Sequence, residues 1–263
     1  MSTLVVDIGN ARIKWARADG PRIAAPGNLP HAGRAEAAIE AAVAAFPGDT
    51  DRMVVSNVAG EDTAAALAAL AAARFGLRPE LVRPAAEGFG VRCGYREPAR
   101  LGADRWVSVV AAHRAAAAED RRARAACVIN AGTALTLDAV DAGGRHVGGL
   151  IMPGPRIVAA ALERNTRRIG ATSAPAAVPS GLGLFGTSTD EAVGHAALLG
   201  PAAAFDRAIA LFARETGEQP IVFLAGGDAE ILKPWLETEV RLRADFVLEG
   251  LAMIADRTTS ARP

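Results

Sequence analysis

Two similar stretches of the sequence carry residue types that suit phosphate and metal binding. VVDIGNARIKW contains Asp7 and VINAGTALTLD contains Asn130; each of these residues follows a short apolar run and shortly precedes a glycine, Gly9 or Gly132. A glycine in a tight strand–turn–strand unit lets an anion approach the backbone closely. Asp7 could hold magnesium, directly or through water, and Lys14 beyond the turn could reach a phosphate. The two stretches together indicate hairpins that grip a nucleotide triphosphate.

A third stretch, LAGGD at residues 224–228, leads from a strand into a helix through two glycines. That arrangement suits a nucleotide lying against a helix N-terminus. Thr133 and Thr136 add hydroxyl groups from the second half. Taken singly, a D-x-G-N sequence is usually only a hairpin turn, A-G-G-D is usually a helix start, and Lys14 is usually a solvated strand residue. Their order along a repeated chain makes nucleotide binding the better interpretation.

Strands and turns must position these residues, and the apolar pattern predicts such elements in both halves. Alternation places Ile13 and Trp15 on one face of the second strand. Each half follows the order β-β-β-α-β-α, with a further strand and helix at its end. A repeated element order predicts an internal duplication and a duplicated α/β fold.

Several individual elements follow from periodicity, glycine and proline. We expect helices over residues 33–46 and 189–216, a long Gly-, Pro-, Ala- and Ser-rich loop over residues 167–184, a strand near residues 242–247 and a closing helix from Leu248.

The composition narrows the class of protein. The chain has 263 residues, 51% of them hydrophobic, which is enough for a substantial core. Its 29 basic and 29 acidic residues cancel, which gives no electrostatic case for nucleic acid or an anionic membrane as partner. The N-terminus lacks a signal-peptide pattern, and no uninterrupted apolar run of about 18 residues predicts a membrane span. Cys93 and Cys127 are far apart without CxxC spacing, as expected in a reducing cytoplasm.

Six stretches in order along the chain resemble type III pantothenate kinase, a family of the acetate and sugar kinase, Hsp70 and actin superfamily. They are DIGNARIK, GADRW, NAGTALTLD, GGLIMPG, STDEAV and LAGGD, and they extend over nearly the whole chain. GADRW and GGLIMPG distinguish this family, whereas the nucleotide-binding turns alone indicate only the superfamily.

The resemblance implies a fold, a reaction and partners. The fold would be two ribonuclease-H-like (actin-like ATPase) domains around a central nucleotide cleft, at residues 1–124 and 125–263. The reaction would be transfer of the ATP γ-phosphate to the 4′-hydroxyl of pantothenate, the first step toward coenzyme A. The family is homodimeric and uses magnesium and a monovalent cation, potassium or ammonium.

The resemblance also implies roles for residues that match the family's motifs. Those that handle ATP would be Asp7, Ile8, Gly9, Asn10, Ala11, Arg12, Ile13, Lys14 and Thr133. Those that contact pantothenate would be Tyr95, Gly102, Ala103, Asp104, Arg105 and Thr189, with Asp104 as proton acceptor.

These roles agree with the chemistry of the side chains. A carboxylate such as Asp104 can take the proton of a primary alcohol as the new bond forms, and the guanidinium of Arg105 suits a carboxylate or phosphate. Alternative interpretations remain for each residue: Asp104 and Arg105 as a helix-start carboxylate with a surface partner, Tyr95 as a packed aromatic, and Thr189 as a helix N-cap. No metal or catalytic set is visible among the histidines, His31, His113, His146 and His195.

Two positions depart from the family's pattern. Asn130 stands where the family commonly has an aspartate linked to the monovalent cation, and Ala11 stands where it often has Thr or Ser. Asn keeps an oxygen ligand but lacks the negative charge of Asp. The attraction between such a charge and a cation about 4 Å away is on the order of 4 kcal/mol at an effective dielectric of about 20, and hydration offsets much of it. We expect monovalent-cation binding at Asn130 to be weaker or differently arranged, while Asp7 and Asp104 sustain catalysis.

Three other functions compete with this interpretation. One is a kinase of the same superfamily acting on a sugar or another small alcohol, which GADRW and GGLIMPG disfavour. The second is a nucleotide-binding regulatory accessory protein with weak or no kinase activity, which would tolerate Asn130 but would not need Asp7, Lys14 and Asp104. The third is a purely structural or chaperone-like member of the superfamily. It is the least favoured, because the sequence shows no appended peptide-binding domain.

Overall fold

The computed structural model describes residues 2–31, 34–119, 124–166 and 178–260. The start of the helix expected at residues 33–46 and residues 167–177 of the expected loop lie outside the described residues. The remainder divides into two compact units. One comprises the chain up to Ala115, Gly144–His146 and the chain from Asp245; the other comprises Ala116–Gly143 and Val147–Ala244.

The first unit contains a five-stranded sheet covered by helices. Its strands, in chain order, are β1 Thr3–Ile8, β2 Arg12–Asp19, β3 Arg22–Pro30, β4 Arg52–Asn57 and β5 Glu80–Leu81; a separate two-stranded ribbon consists of β6 Glu87–Gly88 and β7 Val91–Arg92. The helices in this half of the chain are α1 Ala35–Ala45, α2 Glu61–Phe75 and α3 Ala103–Glu119.

The second unit repeats this plan. Its strands are β8 Ala126–Ala131, β9 Ala134–Val140, β10 His146–Pro153, β11 Ile221–Ala225 and β12 Arg241–Leu242. The helices of this half are α4 Pro155–Asn165, α5 Thr189–Thr216, α6 Ala229–Leu232 and α7 Phe246–Ser260.

Both five-stranded sheets have the same strand order. The first runs β3-β2-β1-β4-β5 and the second runs β10-β9-β8-β11-β12. In each, the first strand pairs antiparallel with the second strand and parallel with the fourth. Because order and direction both repeat, the predicted duplication of a ribonuclease-H-like α/β unit is confirmed.

The two hairpins that open these units differ by one residue. In the first, Gly9, Asn10 and Ala11 connect β1 to β2, and the Gly9 N–H donates to the Arg12 carbonyl at 3.0 Å. In the second, only Gly132 and Thr133 connect β8 to β9. Asp7 consequently lies opposite Lys14, whereas Asn130 lies opposite Thr136. The second copy has therefore lost both charges of this cross-strand pair.

Helix α7 belongs to the first unit although it closes the chain, so the division of the chain differs from the predicted single boundary between residues 124 and 125. The buried guanidinium of Arg52 fixes the far end of the helix: it donates to the Ala255 carbonyl at 2.9 Å and to the Thr258 hydroxyl at 2.6 Å. The same guanidinium binds Glu80 through two nitrogens, at 3.0 and 2.7 Å. Burial of an arginine is tolerated because its donors are satisfied in this way.

Three elements bear on the expectations from the sequence: the chain near residues 242–247, β3 and α5. The strand expected near residues 242–247 is wrong beyond Leu242, because Phe246 already starts α7. The sequence also predicts a weaker strand over residues 22–25 after the Asp19-Gly20 turn, and the structure extends that strand to Pro30 as β3. Helix α5 has the length and apolarity of a membrane span, and 44% of its most apolar window is buried. Its residues Leu198, Ala202 and Phe205 pack in the core of the second unit, which accounts for that composition.

Candidate active site

The carboxyl group of Asp7 is buried at the end of β1 and carries an unusual proton affinity. Its Oδ1 atom has no hydrogen-bond partner among the described residues. Burial, and secondarily the negative charge of Asp104, raise the pKa of Asp7 to about 7, against the opposing effects of Ser56 and Lys14. Ser56 lies beside it on β4 and Lys14 opposite it on β2. Two carboxylates predicted to do chemistry therefore lie close enough to repel each other.

Asp104 sits in the first turn of α3 with its side chain folded back over the preceding loop. Its Oδ1 accepts the backbone N–H of Arg105 at 2.8 Å. A Cβ atom at Gly102 would lie 2.5 Å from that same oxygen. Since real Cβ contacts do not occur at that distance, Gly102 is the residue type that permits this orientation of the carboxylate.

Arg105 and Tyr95 form a second group next to Asp104. The Arg105 guanidinium donates to the Tyr95 hydroxyl at 2.7 Å, and its Cζ atom lies 5.5 Å from the Tyr95 ring centroid. The Tyr95 ring also stacks on the ring of His146: the two ring centroids are 6.0 Å apart, and the ring planes differ by 16°. Arg105 and His146 are both buried. Tyr95 and Arg105 therefore belong to one group of contacting side chains and are not separate surface residues.

His146 contacts the expected site residue Tyr95, and the sequence reasoning missed it. It is the first residue of β10 and directly follows the β9–β10 connection; Gly144–His146 are part of the first unit. The Gly144 carbonyl accepts the Arg92 N–H at 2.9 Å, and Nδ1 of His146 lies 3.4 Å from the Gly94 nitrogen. The only local signal was a Gly-Gly hairpin turn, which does not reveal where the hairpin tip packs.

Lys14 is held by a partner that is remote in sequence. Its Nζ lies 3.0 Å from Oδ1 of Asp245, the residue just before α7 and 231 residues away. The lysine also lowers the pKa of Asp7 electrostatically. Lys14 therefore connects the carboxylate at the end of β1 to the start of the closing helix.

The residues present suit a magnesium ion that arrives with a nucleotide. No group of three or more His, Cys, Asp and Glu side chains arranged for a metal occurs in the part of the chain that the structure describes. Magnesium is usually bound by one or two carboxylates together with substrate phosphates and waters. The orphaned, buried Oδ1 of Asp7 fits that pattern, because a cation would satisfy it and offset the cost of burying its charge.

The expected site residues of the second half lie in the second unit. Asn130 pairs with Ala225 of β11 and with Thr136 of β9. The Thr133 carbonyl accepts the Gly154 N–H at 3.1 Å, so the hairpin turn is held by the residue that precedes α4. Thr189 is the first residue of α5, whereas Ser188 is the N-cap and accepts the Glu191 N–H at 3.2 Å. The alternative of Thr189 as N-cap is therefore wrong.

The LAGGD stretch closes against the end of β8. Gly226 has a φ of +100°, and a Cβ there would lie 2.2 Å from the Ala131 carbonyl oxygen. Asp228 donates its N–H to that same oxygen at 3.0 Å and forms an ion pair with Arg156 at 3.0 Å. The expected helix after the glycines is only α6, a single turn, so its dipole contributes little to nucleotide binding.

A cavity of about 390 Å³ in the first unit adjoins the loop that carries Asp104. Gly102 and Ala103 line it on one side, and residues of the β4–α2 and β5–β6 connections, including Val58, Val82 and Arg83, line it on others. Two of the six residues expected to contact pantothenate therefore border a volume that a small molecule can enter.

Comparison with known proteins defines first the class and then the family. The chain aligns over 98% of its length with 99% of a structure from Campylobacter jejuni assigned to the Baf family of transcriptional activators, at TM-score 0.58 and 16% identity. It also aligns with the ethanolamine utilization protein EutJ from Carboxydothermus hydrogenoformans, at TM-score 0.55 and 15% identity over 96% of this chain and 89% of that one. At such low identity these likenesses concern the fold alone, which is the duplicated actin-like ATPase fold.

The family follows from sequence. The sequence model of type III pantothenate kinase matches residues 3–211. A protein named type III pantothenate kinase from Nitrosococcus oceani is 35% identical over 98% of this chain and 96% of its own length. One of the same name from Aromatoleum aromaticum is 38% identical over 98% and 99%. The chain belongs to the type III pantothenate kinase family.

Proposed function

We propose that this chain transfers the γ-phosphate of ATP to the 4′-hydroxyl of pantothenate, giving 4′-phosphopantothenate in the first step of coenzyme A biosynthesis. Membership of the family supports the reaction. One observation assigns the reaction to particular residues. Asp7, next to the turn between β1 and β2, interacts electrostatically with Asp104 of the family's GADR motif. A kinase needs carboxylates for two different tasks at one place, and this pair supplies them.

Asp104 acts as the general base. An alcohol becomes an effective nucleophile when a positioned carboxylate takes its proton as the new P–O bond forms. The Arg105 N–H holds Oδ1 of Asp104 at 2.8 Å, and Gly102 leaves room for that orientation. The proton passes from the 4′-hydroxyl to the Asp104 carboxylate as the new P–O bond forms. The bond between the γ-phosphorus and the β–γ bridging oxygen of ATP breaks, and ADP leaves.

Asp7 and Lys14 serve the nucleotide. Asp7 would hold magnesium, which would supply the positive charge that offsets the negative charge of the transferring phosphoryl group. Asp7 accordingly acts as a carboxylate ligand, directly or through water, and the ammonium of Lys14 faces the phosphates as a point charge. Thr133 and the turn from Gly9 to Arg12 add donors, and Asn130 offers an uncharged oxygen to potassium or ammonium.

Tyr95 and Arg105 bind pantothenate, with Ala103 and Thr189 completing the expected set. A buried guanidinium can engage the pantothenate carboxylate in a bidentate manner, and its hydrogen bond to Tyr95 fixes the plane of the fork. We further propose that the chain works as a homodimer and, because ATP is the donor, that it works in the cytoplasm.

The decisive experiment measures ADP formation with and without pantothenate, in magnesium plus either potassium or ammonium. We expect pantothenate-dependent turnover in the wild-type chain and a loss of about 10²–10⁴-fold in kcat for Asp104→Asn. Asp62→Asn is the matched control, because Asp62 is also an acidic first-turn helix residue but is exposed on α2. ATP binding without pantothenate-dependent turnover under either cation would instead favour the regulatory accessory protein.

A further inference from the structure

One buried histidine binds two carbonyl groups of the turn between β1 and β2, those of Gly9 and Ala11. His31 follows β3, and its backbone N–H donates to the Ala11 carbonyl at 3.0 Å. Its ring Nε2 lies 2.9 Å from the Gly9 carbonyl oxygen. A carbonyl can only accept, so Nε2 carries the proton of that hydrogen bond. A single residue therefore binds the turn at two points, from the backbone and from the side chain.

These two contacts fix the direction of two peptide planes. In a planar trans peptide, the carbonyl and the N–H of the same unit point in opposite directions. With the Gly9 and Ala11 carbonyls turned toward His31, the N–H groups of Asn10 and Arg12 are directed to the opposite side of the turn. Neighbouring backbone N–H groups that point the same way form a concave anion site.

The contact is built into the core rather than resting on the surface. Only 7% of His31 is exposed, and its Nδ1 has no hydrogen-bond partner within the described residues. A buried polar atom left unpaired is costly, so the ring is in place for the bond that Nε2 makes. The turn itself is exposed at Asn10, Ala11 and Arg12, which leaves its other side accessible.

The second hairpin repeats the backbone part of this arrangement. There the Thr133 carbonyl accepts the Gly154 N–H at 3.1 Å, which corresponds to the bond from the His31 N–H to the Ala11 carbonyl, and Gly154 has no side chain to add a second contact. Both copies of the duplicated unit thus tie down a carbonyl of the turn from outside the hairpin. In the first copy the His31 ring adds a second contact to the turn, and a side-chain contact is open to a test by substitution.

We propose that His31 is a positioning residue for the polyphosphate of ATP: it orients the Asn10 and Arg12 amides toward the phosphates. The inference rests on the proposed nucleotide-binding function and deepens it. Its specific consequence is selectivity for the phosphate chain, because the amides that His31 orients would contact phosphate oxygens and not the nucleoside. His31 does not touch the reacting atoms.

The test compares His31→Gln with His31→Asn by calorimetric titration of ATP and of adenosine, in magnesium and without pantothenate. The glutamine Nε2 can occupy the place of the histidine Nε2, whereas the asparagine amide falls at the place of Nδ1 and cannot reach the Gly9 carbonyl. We expect His31→Asn to weaken ATP binding about tenfold or more, with adenosine binding unchanged, and His31→Gln to bind ATP almost as the wild type does.

Each other outcome overturns a stated claim. Equal ATP affinities of the two folded variants, or equal weakening of ATP and adenosine by His31→Asn, would overturn the role of His31 alone. Absence of ATP binding by the wild-type chain would overturn the proposed function and the role of His31 with it. Thermal unfolding of both variants checks that the comparison is made between folded proteins, and both variants place the same carboxamide group at the buried position.

Discussion

Asp7, at the end of β1, and Asp104, in the first turn of α3, interact electrostatically, and the charge of Asp104 helps to raise the pKa of Asp7 to about 7. Burial of Asp7 is the larger cause. Such a pair is unfavourable for the empty protein because each carboxylate opposes ionisation of the other. It is favourable once a cation and a hydroxyl group are present, since one carboxylate then binds a cation and the other takes a proton.

The first prediction concerns stability and pH. The folded-state pKa of Asp7 lies above its ordinary value of 3.8, so the stability that its protonated form contributes is complete below about 3.8 and is lost as the pH rises through about 7. From pH about 5.5 to about 7, this group alone lowers the free energy of unfolding by roughly 2 kcal/mol. Asp7→Asn should remove that loss and be more stable than wild type at pH about 8, measured by urea unfolding without magnesium.

Two further variants make this result specific. Asp104→Asn removes the secondary cause, so the pKa of Asp7 should fall but stay above 3.8, because burial remains. Asp62→Asn changes an exposed carboxylate and should leave the pH dependence of wild type intact. A wild-type unfolding profile equal to that of Asp7→Asn at every pH would contradict the raised pKa.

The second prediction tests the glycine before Asp104. The added Cβ of Gly102→Ala would meet Oδ1 of Asp104 at 2.5 Å and push the carboxylate out of position. We expect kcat to fall by about 10–100-fold with little change in thermal stability, since a flexible side chain can move aside. Gly48→Ala is the matched control, because a Cβ there meets nothing within 4 Å. Wild-type kcat in a folded Gly102→Ala variant would show that the carboxylate's orientation does not matter.

The third prediction separates the two substrates. Tyr95→Phe removes the hydroxyl that accepts the 2.7 Å hydrogen bond of Arg105 but keeps the ring that stacks on His146. The KM for pantothenate should rise about tenfold while the KM for ATP stays constant, because the Arg105 guanidinium loses the acceptor that orients it toward pantothenate. If the two residues act as one unit, the double variant with Arg105→Lys should be less impaired than the sum of the single effects. Strict additivity would contradict a shared role.

The fourth prediction concerns the missing carboxylate. Asn130→Asp restores a negative charge at the end of β8, and we expect it to lower the potassium concentration that gives half-maximal activity by about tenfold or more. Asn165→Asp adds the same charge at the exposed end of α4 and should leave that concentration unchanged. Potassium saturation in wild type as tight as in Asn130→Asp would refute the expectation that Asn130 weakens the cation site.

Local pattern determined much of this protein from sequence alone. Alternation of apolar residues and the glycines of the turns defined β1, β2, β8 and β9, and the repeat of that pattern gave the duplicated fold, because side-chain periodicity follows directly from backbone geometry. The GADR sequence marked the start of α3, and the family-specific residues pointed to the reaction. The one-residue difference between the two hairpins could not be read from the sequence, because both turns contain a glycine and a polar residue in the same order.

Contacts between distant parts of the chain were decided only by the tertiary structure. The pKa of Asp7 depends on its burial and on Asp104; the ring of Tyr95 stacks on His146; and Lys14 meets Asp245 across 231 residues of sequence. Helix α7 joins the first unit because Arg52 finds its partners there. Sequence periodicity reports which face of an element is apolar, but it carries no information on which remote polar group will satisfy a buried charge, and packing of the whole chain settles that choice.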